Sequence, residues 1–306
     1  MPRSVLTQIS SLAVAGALLA ACGGQFSPNA PSSGAMTGDR MKPDKAAAQV
    51  LYVSDASANT VYEFSLPSNS PIGEITDGIS SPEGLATDSH GNLYVSNLTA
   101  DTVTVYAPGA TSPSLTLSEP DGPDGVAVTK NGDVVAGDND GGVDVYAPGK
   151  TSPSRRLKNS GINTVFGVGV DAHDNAYAVG LLISGSNGTP AAIEFENLKG
   201  KGTNLGLEDL TRPQGVLLDA NSNIVISDDG EVLVYAPGLK TPSTAFGAPQ
   251  CGPSALNKSE NLIYVSQGGN TDQVGVYDYP SGTFVTQLAF GSDYIGGTAV
   301  SPAAKP

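Results

Sequence analysis

The sequence predicts an all-β protein: a six-bladed β-propeller with four-stranded blades, its ring closed by N- and C-terminal strands that share one blade. Three observations predict it. The pentapeptide VYAPG occurs three times, ending in Gly109, Gly149 and Gly238. Alignment on its aromatic residue extends the series to Phe64, Tyr106, Tyr146, Phe195, Tyr235 and Tyr277, spaced 42, 40, 49, 40 and 42 residues apart. Repeats of about 40 residues built from several short strands are the signature of a propeller. Gly (38) and Pro (22) make up about a fifth of the 306 residues, so turns are frequent and elements short.

Before the repeats, residues 1–21 read as a lipoprotein signal peptide. One basic residue, Arg3, precedes an apolar run from Leu12 to Ala20 that is too short to span a bilayer as a mature helix. The run ends in Leu19-Ala20-Ala21-Cys22, which resembles the lipobox of bacterial lipoproteins and makes Cys22 the expected lipidation site. Residues 22–48 are rich in Gly, Ser, Pro and Ala without apolar period, so a flexible tether is expected there, reaching about 25 to 30 Å. The expected location is the bacterial cell envelope, facing the periplasm or the exterior. With Cys22 modified, Cys251 has no partner for a disulfide and is expected to be a small buried residue.

From residue 49 to 306 each repeat supplies four strands. A first strand follows Pro-x-Gly, as in PEGLATD at Gly84, PDGVAVT at Gly125 and PQGVLLD at Gly215. A polar turn such as SHGN leads to a second strand, LYVSD at Tyr52 or LYVSN at Tyr94. The third strand shows period-2 alternation, TVTVY or EVLVY, and ends at the aromatic; the Ala-Pro-Gly corner then turns the chain into the fourth. The first copy begins at its second strand, and the C-terminus supplies IGGTAVS with no strand after it. Pairing these two ends leaves no free sheet edge along the ring.

The unit SPEGLATDSHGNLYVSNLTADTVTVYAPG resembles the NHL repeat, and the span 49–306 is similar to six-bladed propellers of the NHL and SMP-30 type. It departs from the NHL pattern where Thr102 and Val143 stand in place of a basic residue. Some of those relatives are metal-dependent lactonases with a divalent cation held in the central channel by Glu, Asn and Asp. The resemblance therefore implies channel positions at Glu83, Asp124, Phe166, Gln214, Pro253 and Gly296. None is the Asn of that family, and Glu83 and Asp124 are the weak metal candidates. No cofactor is expected otherwise, with a divalent cation such as calcium as the alternative.

A formal charge of −15 and the absence of a basic stripe exclude a nucleic-acid partner. The histidines, His90 and His173, fall in first-to-second-strand turns without a nucleophile motif nearby, so a solvated role is expected. Asp55, Asn97, Asp138 and Asp228 share one register at the end of the second strand and are expected to bond the turn that follows. The segment GDNDGG, residues 137–142, opens like a calcium loop but lacks its distal Glu. Residues 181–192 lengthen one repeat and read as a long loop carrying Leu182 and Ile183. The expected ligand-binding rim is Glu83, Asp124, Asp138, Asp140, Leu182 and Ile183. A monomeric, lipid-anchored binding or scaffold module for a protein or other envelope ligand is the leading functional reading, ahead of a lactonase-like hydrolase or lyase.

Overall fold

A computed structural model describes residues 49–118, 121–158, 161–249, 251–268, 272–291 and 294–302. The expected signal peptide, Cys22 and the expected tether lie outside the described residues. Within them the protein is a ring of six four-stranded antiparallel sheets. Blade I contains β1 (Val50–Asp55), β2 (Thr60–Ser65) and β3 (Ser70–Ile75). Blade II is β4 (Pro82–Thr87), β5 (Leu93–Asn97), β6 (Thr102–Tyr106) and β7 (Leu115–Ser118). Blade III is β8 (Pro123–Val128), β9 (Val134–Asp138), β10 (Gly142–Tyr146) and β11 (Arg155–Lys158). Blade IV is β12 (Thr164–Val170), β13 (Ala176–Ser184), β14 (Asn187–Phe195) and β15 (Thr203–Asn204). Blade V is β16 (Gly215–Leu218), β17 (Ile224–Asp228), β18 (Glu231–Tyr235) and β19 (Thr244–Gly247). Blade VI is β20 (Cys251–Leu256), β21 (Leu262–Gln267), β22 (Gln273–Asp278) and β23 (Phe284–Ala289). The last strand, β24 (Ile295–Ser301), completes blade I by pairing with β1, Val50 opposite Ser301 and Leu51 opposite Val300. The terminal closure read from the repeat order is the closure observed.

The repeated residues hold blade to blade. Among the third-strand aromatics, Tyr106, Tyr146 and Tyr235 are buried, and their hydroxyls donate to the carbonyls of Asp77, Ser118 and Glu208, each on the segment ending the preceding blade. A buried ring with a satisfied hydroxyl joins two blades without stranding a polar atom. The serine of the second strand works nearer the axis: Ser54 Oγ donates to Glu83 O (2.7 Å), Ser96 Oγ to Asp124 O (2.8 Å) and Ser266 Oγ to Gly296 O (2.7 Å). Each bond ties a second strand to the innermost strand of the next blade. Blade III has Gly137 in this register, where a Cβ would lie 2.5 Å from Val165 Cγ1, so packing replaces the hydroxyl there.

The Pro-x-Gly glycines form a collar around the axis. A Cβ on Gly84 would lie 2.6 Å from Asp124 O, one on Gly125 2.7 Å from Val168 N, and one on Gly167 2.7 Å from Gly215 Cα. Only glycine lets the innermost strands come this close. Gly125→Ala is expected to cost about 1–3 kcal/mol, because the obstructing atoms are backbone and cannot rotate away. Urea unfolding checks this, and an unchanged midpoint would contradict the collar.

Two local expectations need correction. Residues 181–192 do not form a loop: β13 and β14 are nine-residue strands paired up to Ser184 opposite Asn187, and the turn is Gly185-Ser186. Pro190 is tolerated because β15 pairs only with Ile193 and Glu194, which leaves β14 an edge strand at that height. The shared register at the end of the second strand is a bonding device, but its partners reach beyond the following turn. Asp55 accepts from Ala58 N and Asp228 from Asp229 N in the following turn, as expected, whereas Asn97 accepts from Ser80 N, and Asp228 also from Thr211 and Arg212 N, in the segments leading into the first strand of the same blade.

Candidate functional site

The innermost strands run from one end of the ring to the other, with the residue before each collar glycine at one mouth of the channel. Beyond the collar the channel opens into a cavity of about 190 Å³ lined by aliphatic side chains, among them Leu85, Val126, Val168, Val216, Leu256 and Val300. The two ends therefore differ in chemistry. The mouth carries ionisable groups and the cavity carries none.

At the mouth, Glu83 lies within β4 and Asp124 within β8 rather than in surface loops. Both are partly buried, and their backbones are pinned at the carbonyls by Ser54 and Ser96. Burial pushes the Glu83 carboxyl up to about 8, with the nearby Asp124 charge adding to the rise and a hydrogen bond from Tyr294 opposing it. Burial pushes Asp124 up to about 7. Tyr294 stands beside both carboxyls, 43% exposed, its own phenol raised to about 12 by burial and by those acids. The Arg212 guanidinium sits 5.7 Å from the centre of the Phe166 ring, a cation–π arrangement. Its backbone N–H is held by Asp228 at 2.5 Å. A carboxyl pair, a phenol and a guanidinium beside an aromatic ring can bind a polar or cationic group. Near neutrality the pair can hold a proton that either a base or a cation would displace.

The linkage has a definite sign. Both folded-state values are raised, so the folded protein binds more protons than the unfolded chain between the ordinary carboxylate range and about 8. The stability these groups contribute is present at acid pH and is lost as pH rises through 7 to 8. Glu83→Gln is expected to stabilise the protein relative to wild type at pH 9 and to converge with it at pH 4. Thermal melts at the two values check the sign, and a gap that widened at pH 4 would contradict it.

Of the remaining rim residues, Asp138 is fully buried at the end of β9, and Asp140 follows it in the turn. Carboxylate oxygens of Asp121, Asp138 and Asp140 lie within 4.8 Å of one another, close enough to share a cation. The Arg156 guanidinium, reaching in from β11, already lies among them: it contacts Asp138 and Asp140, Asp144 at 3.0 Å and Asp121 at 3.5 Å. The cation of this cluster is the protein's own, and Asp138 is an internal partner instead of a rim ligand. Leu182 and Ile183, 38% and 44% exposed, project with the β13–β14 hairpin. The Asn163 side chain braces that hairpin, accepting from Ile183 N (2.7 Å) and donating to Ile183 O (3.0 Å).

His90 and His173 are solvent-exposed at the opposite end of the ring, 3.9 Å from Asp88 and Asp171. Cys251 is a buried free thiol bonded to Glu231 O, and burial pushes it up to about 12. Neither the histidines nor the thiol adds a nucleophile to the mouth. Sequence reasoning missed Arg212, Tyr294 and Arg156. Arg212 had a signal, being a cation two residues before the channel position Gln214; the other two had none.

No protein-family model matches the chain, and no curated protein sequence does. Among solved structures, it is similar to a chain in the crystal structure of a nidogen/laminin complex, with a TM-score of 0.69 at 14% identity, covering 84% of this chain and 99% of that one. It is also similar to a chain of hydrazine synthase from Kuenenia stuttgartiensis, with a TM-score of 0.59 at 14% identity, covering 85% and 91%. At such identity the likeness is one of fold, and the fold these comparisons share with the chain is the β-propeller.

Proposed function

We propose that this protein is a lipid-anchored, extracytoplasmic binding module that takes a basic protein or other cationic envelope ligand at the mouth end of its ring. One observation carries the reading. The loops at this end present Asp101, Asp209 and Asp229 to solvent around Glu83 and Asp124, with Asp121 and Asp140 beside the Arg156 guanidinium, and Arg212 is the only cation in those loops among the described residues. The β13–β14 hairpin rises from the same end with its exposed Leu182 and Ile183. A partner there meets carboxylates beside an apolar projection. The nidogen/laminin likeness supports a propeller that works in a protein complex, and the Leu-Ala-Ala-Cys string at 19–22 supports the anchor.

A metal-dependent lactonase would need a third protein ligand beside Glu83 and Asp124. Among the described residues no other carboxylate, histidine or thiolate groups with them at ion-binding distance. Hydrolysis of a lactone that required calcium or zinc and vanished in the Glu83→Gln/Asp124→Asn variant would replace the binding reading.

The test shortens the hairpin without disturbing the sheet. Replacing Ile183–Gly188 by Asn-Gly joins the paired residues Leu182 and Thr189 through a two-residue turn and keeps the register. The melting temperature is expected to stay within a few degrees of wild type. Crosslinked capture of the partner from native envelopes is expected to fall about tenfold, and raising salt should weaken it in wild type, since exposed charges are screened within about 8 Å at physiological ionic strength. Capture indifferent to both changes would contradict the reading. The anchor is tested separately: Cys22→Ser should abolish incorporation of labelled fatty acid.

A further inference from the structure

We propose that the cavity beyond the collar is a binding site for a small neutral molecule with an apolar body and one hydroxyl group. Its first support is size. The space at the collar itself, lined by Gly84, Gly125, Gly167 and Gly215, is about 40 Å³, room for a few waters, whereas the cavity beyond it is about 190 Å³. A cavity of about 150 Å³ with apolar walls is enough to take up benzene. Small residues in the middle of the innermost strands keep the space open: Ala86, Ala127, Gly169, Ala255 and Ala299 stand at one level around it, with Leu217 from blade V the one large side chain there. Thr87, Val128 and Val170 at the far rim are partly exposed, so a ligand enters from the end opposite the mouth.

The second support is the chemistry of the walls. Among the described residues no ionisable side chain lines the cavity, and blades III, IV and V present Val126, Val128, Val168, Val170, Val216 and Leu218 to it. Such a surface favours an apolar body. It rejects an ion, because no opposite charge stands there to offset the loss of hydration.

The third support lies on the other side of the cavity, at the seam of blades VI and I, where Ser254 and Thr298 line the same space. Thr298 Oγ1 is 3.4 Å from the carbonyl oxygen of Pro253, the residue before Ser254, so the two hydroxyl-bearing residues meet at one part of the wall. Their bonding is complementary. Thr298 Oγ1 donates to Tyr264 O (2.9 Å) and keeps lone pairs to accept with; Ser254 Oγ accepts from Ser227 Oγ (2.9 Å) and keeps its proton to donate. A ligand hydroxyl can therefore accept from Ser254 and donate to Thr298 while the rest of the molecule lies against the valines. The hydroxyl at the rim, Thr87 Oγ1, donates across to Val300 O (2.7 Å). An apolar hollow with a few convergent polar groups is the usual form of a small-molecule site. Neither the mouth nor the lipid anchor is needed for it.

The test titrates p-cresol, toluene and p-toluate, which share one apolar body, into the Cys22→Ser chain, so that neither lipid nor detergent competes, and reads binding by calorimetry and by thermal melts. Saturable one-to-one binding of p-cresol with a rise in melting temperature is expected. Toluene should bind about twofold to tenfold more weakly, the worth of a net hydrogen bond, and p-toluate should not bind. Ser254→Ala should bring p-cresol close to the level of toluene and leave toluene unchanged. Val128→Phe with Val170→Phe, which fills the rim from two adjacent blades at partly exposed positions, should abolish uptake of both. Melts without ligand confirm that the variants fold, and Ser254→Ala alone decides if the rim variant does not. Absence of saturable p-cresol binding, p-cresol binding no tighter than toluene, a preference that survives Ser254→Ala, or binding that persists in the folded rim variant would overturn the proposal.

Discussion

Deletion of residues 294–306 is expected to unfold the ring rather than trim a tail. Every residue of β24 is buried, and the strand lies in two hydrophobic clusters: Ile295 and Val300 pack with Leu51, Val53 and Val276, and Ala299 with Tyr52 and Leu85. Thr298 Oγ1 donates to Tyr264 O in blade VI, and Gly297 N donates to Ser54 Oγ in blade I. Without β24 the inner edge of β1 loses its partner and the flanks of β4 and β20 lose their neighbour. Each buried aliphatic side chain lost costs about 1.5–3 kcal/mol, and several together approach the 5–15 kcal/mol that holds a typical domain folded. The open ring also presents an unpaired strand edge, a template for aggregation. Soluble yield and a thermal melt read the outcome; a truncated chain that melts cooperatively at the wild-type temperature would refute closure by the termini.

What the sequence made legible was what the fold repeats. The aromatic corner, the serine of the second strand and the collar glycine recur because similar interfaces around the ring impose similar demands, so spacing alone reveals the ring and its closure. The hairpin escaped because LLISGSNGTPAA has Gly185 and Gly188 near its middle and Pro190 in its second half, which look like loop chemistry. Its strands extend past the blade where no neighbour dictates alternation, and Pro190 sits on an unpaired edge, so the usual strand signals are absent. The mouth was legible as positions and not as an environment. Glu83 and Asp124 come from different blades, and Tyr294, whose hydrogen bond opposes the rise at Glu83, arrives from the far end of the chain. No local pattern carries that information.

The Arg156 cluster shows the same limit most sharply and gives the largest single-residue effect expected here. Arg156 lies on the outer strand β11, opposite Asp144 in β10, and a pattern reader assigns it to solvent. Its guanidinium instead passes over Gly142, where a Cβ would lie 2.6 Å from Arg156 Nε, and reaches Asp138. Asp138 and Asp144 are 0% and 1% exposed. Burial opposes the charge on Arg156, but the neighbouring Asp138, Asp144 and Asp140 outweigh it, so its pKa is raised and it stays protonated. Arg156→Met would strip the cation from two buried carboxylates, and breaking a buried pair from one side costs about 3–5 kcal/mol. Arg156→Lys should recover only part of this, because an ammonium lacks the fork that engages several acids at once. The deficit of Arg156→Met should shrink toward acid pH, where protonation removes the stranded negative charge, and adding Asp138→Asn should restore part of it at neutral pH. Urea unfolding of the variants at neutral and acid pH decides. Full stability in Arg156→Met would mean that these carboxylates do not depend on it, and would reopen the Asp121, Asp138 and Asp140 group as a site for an external cation.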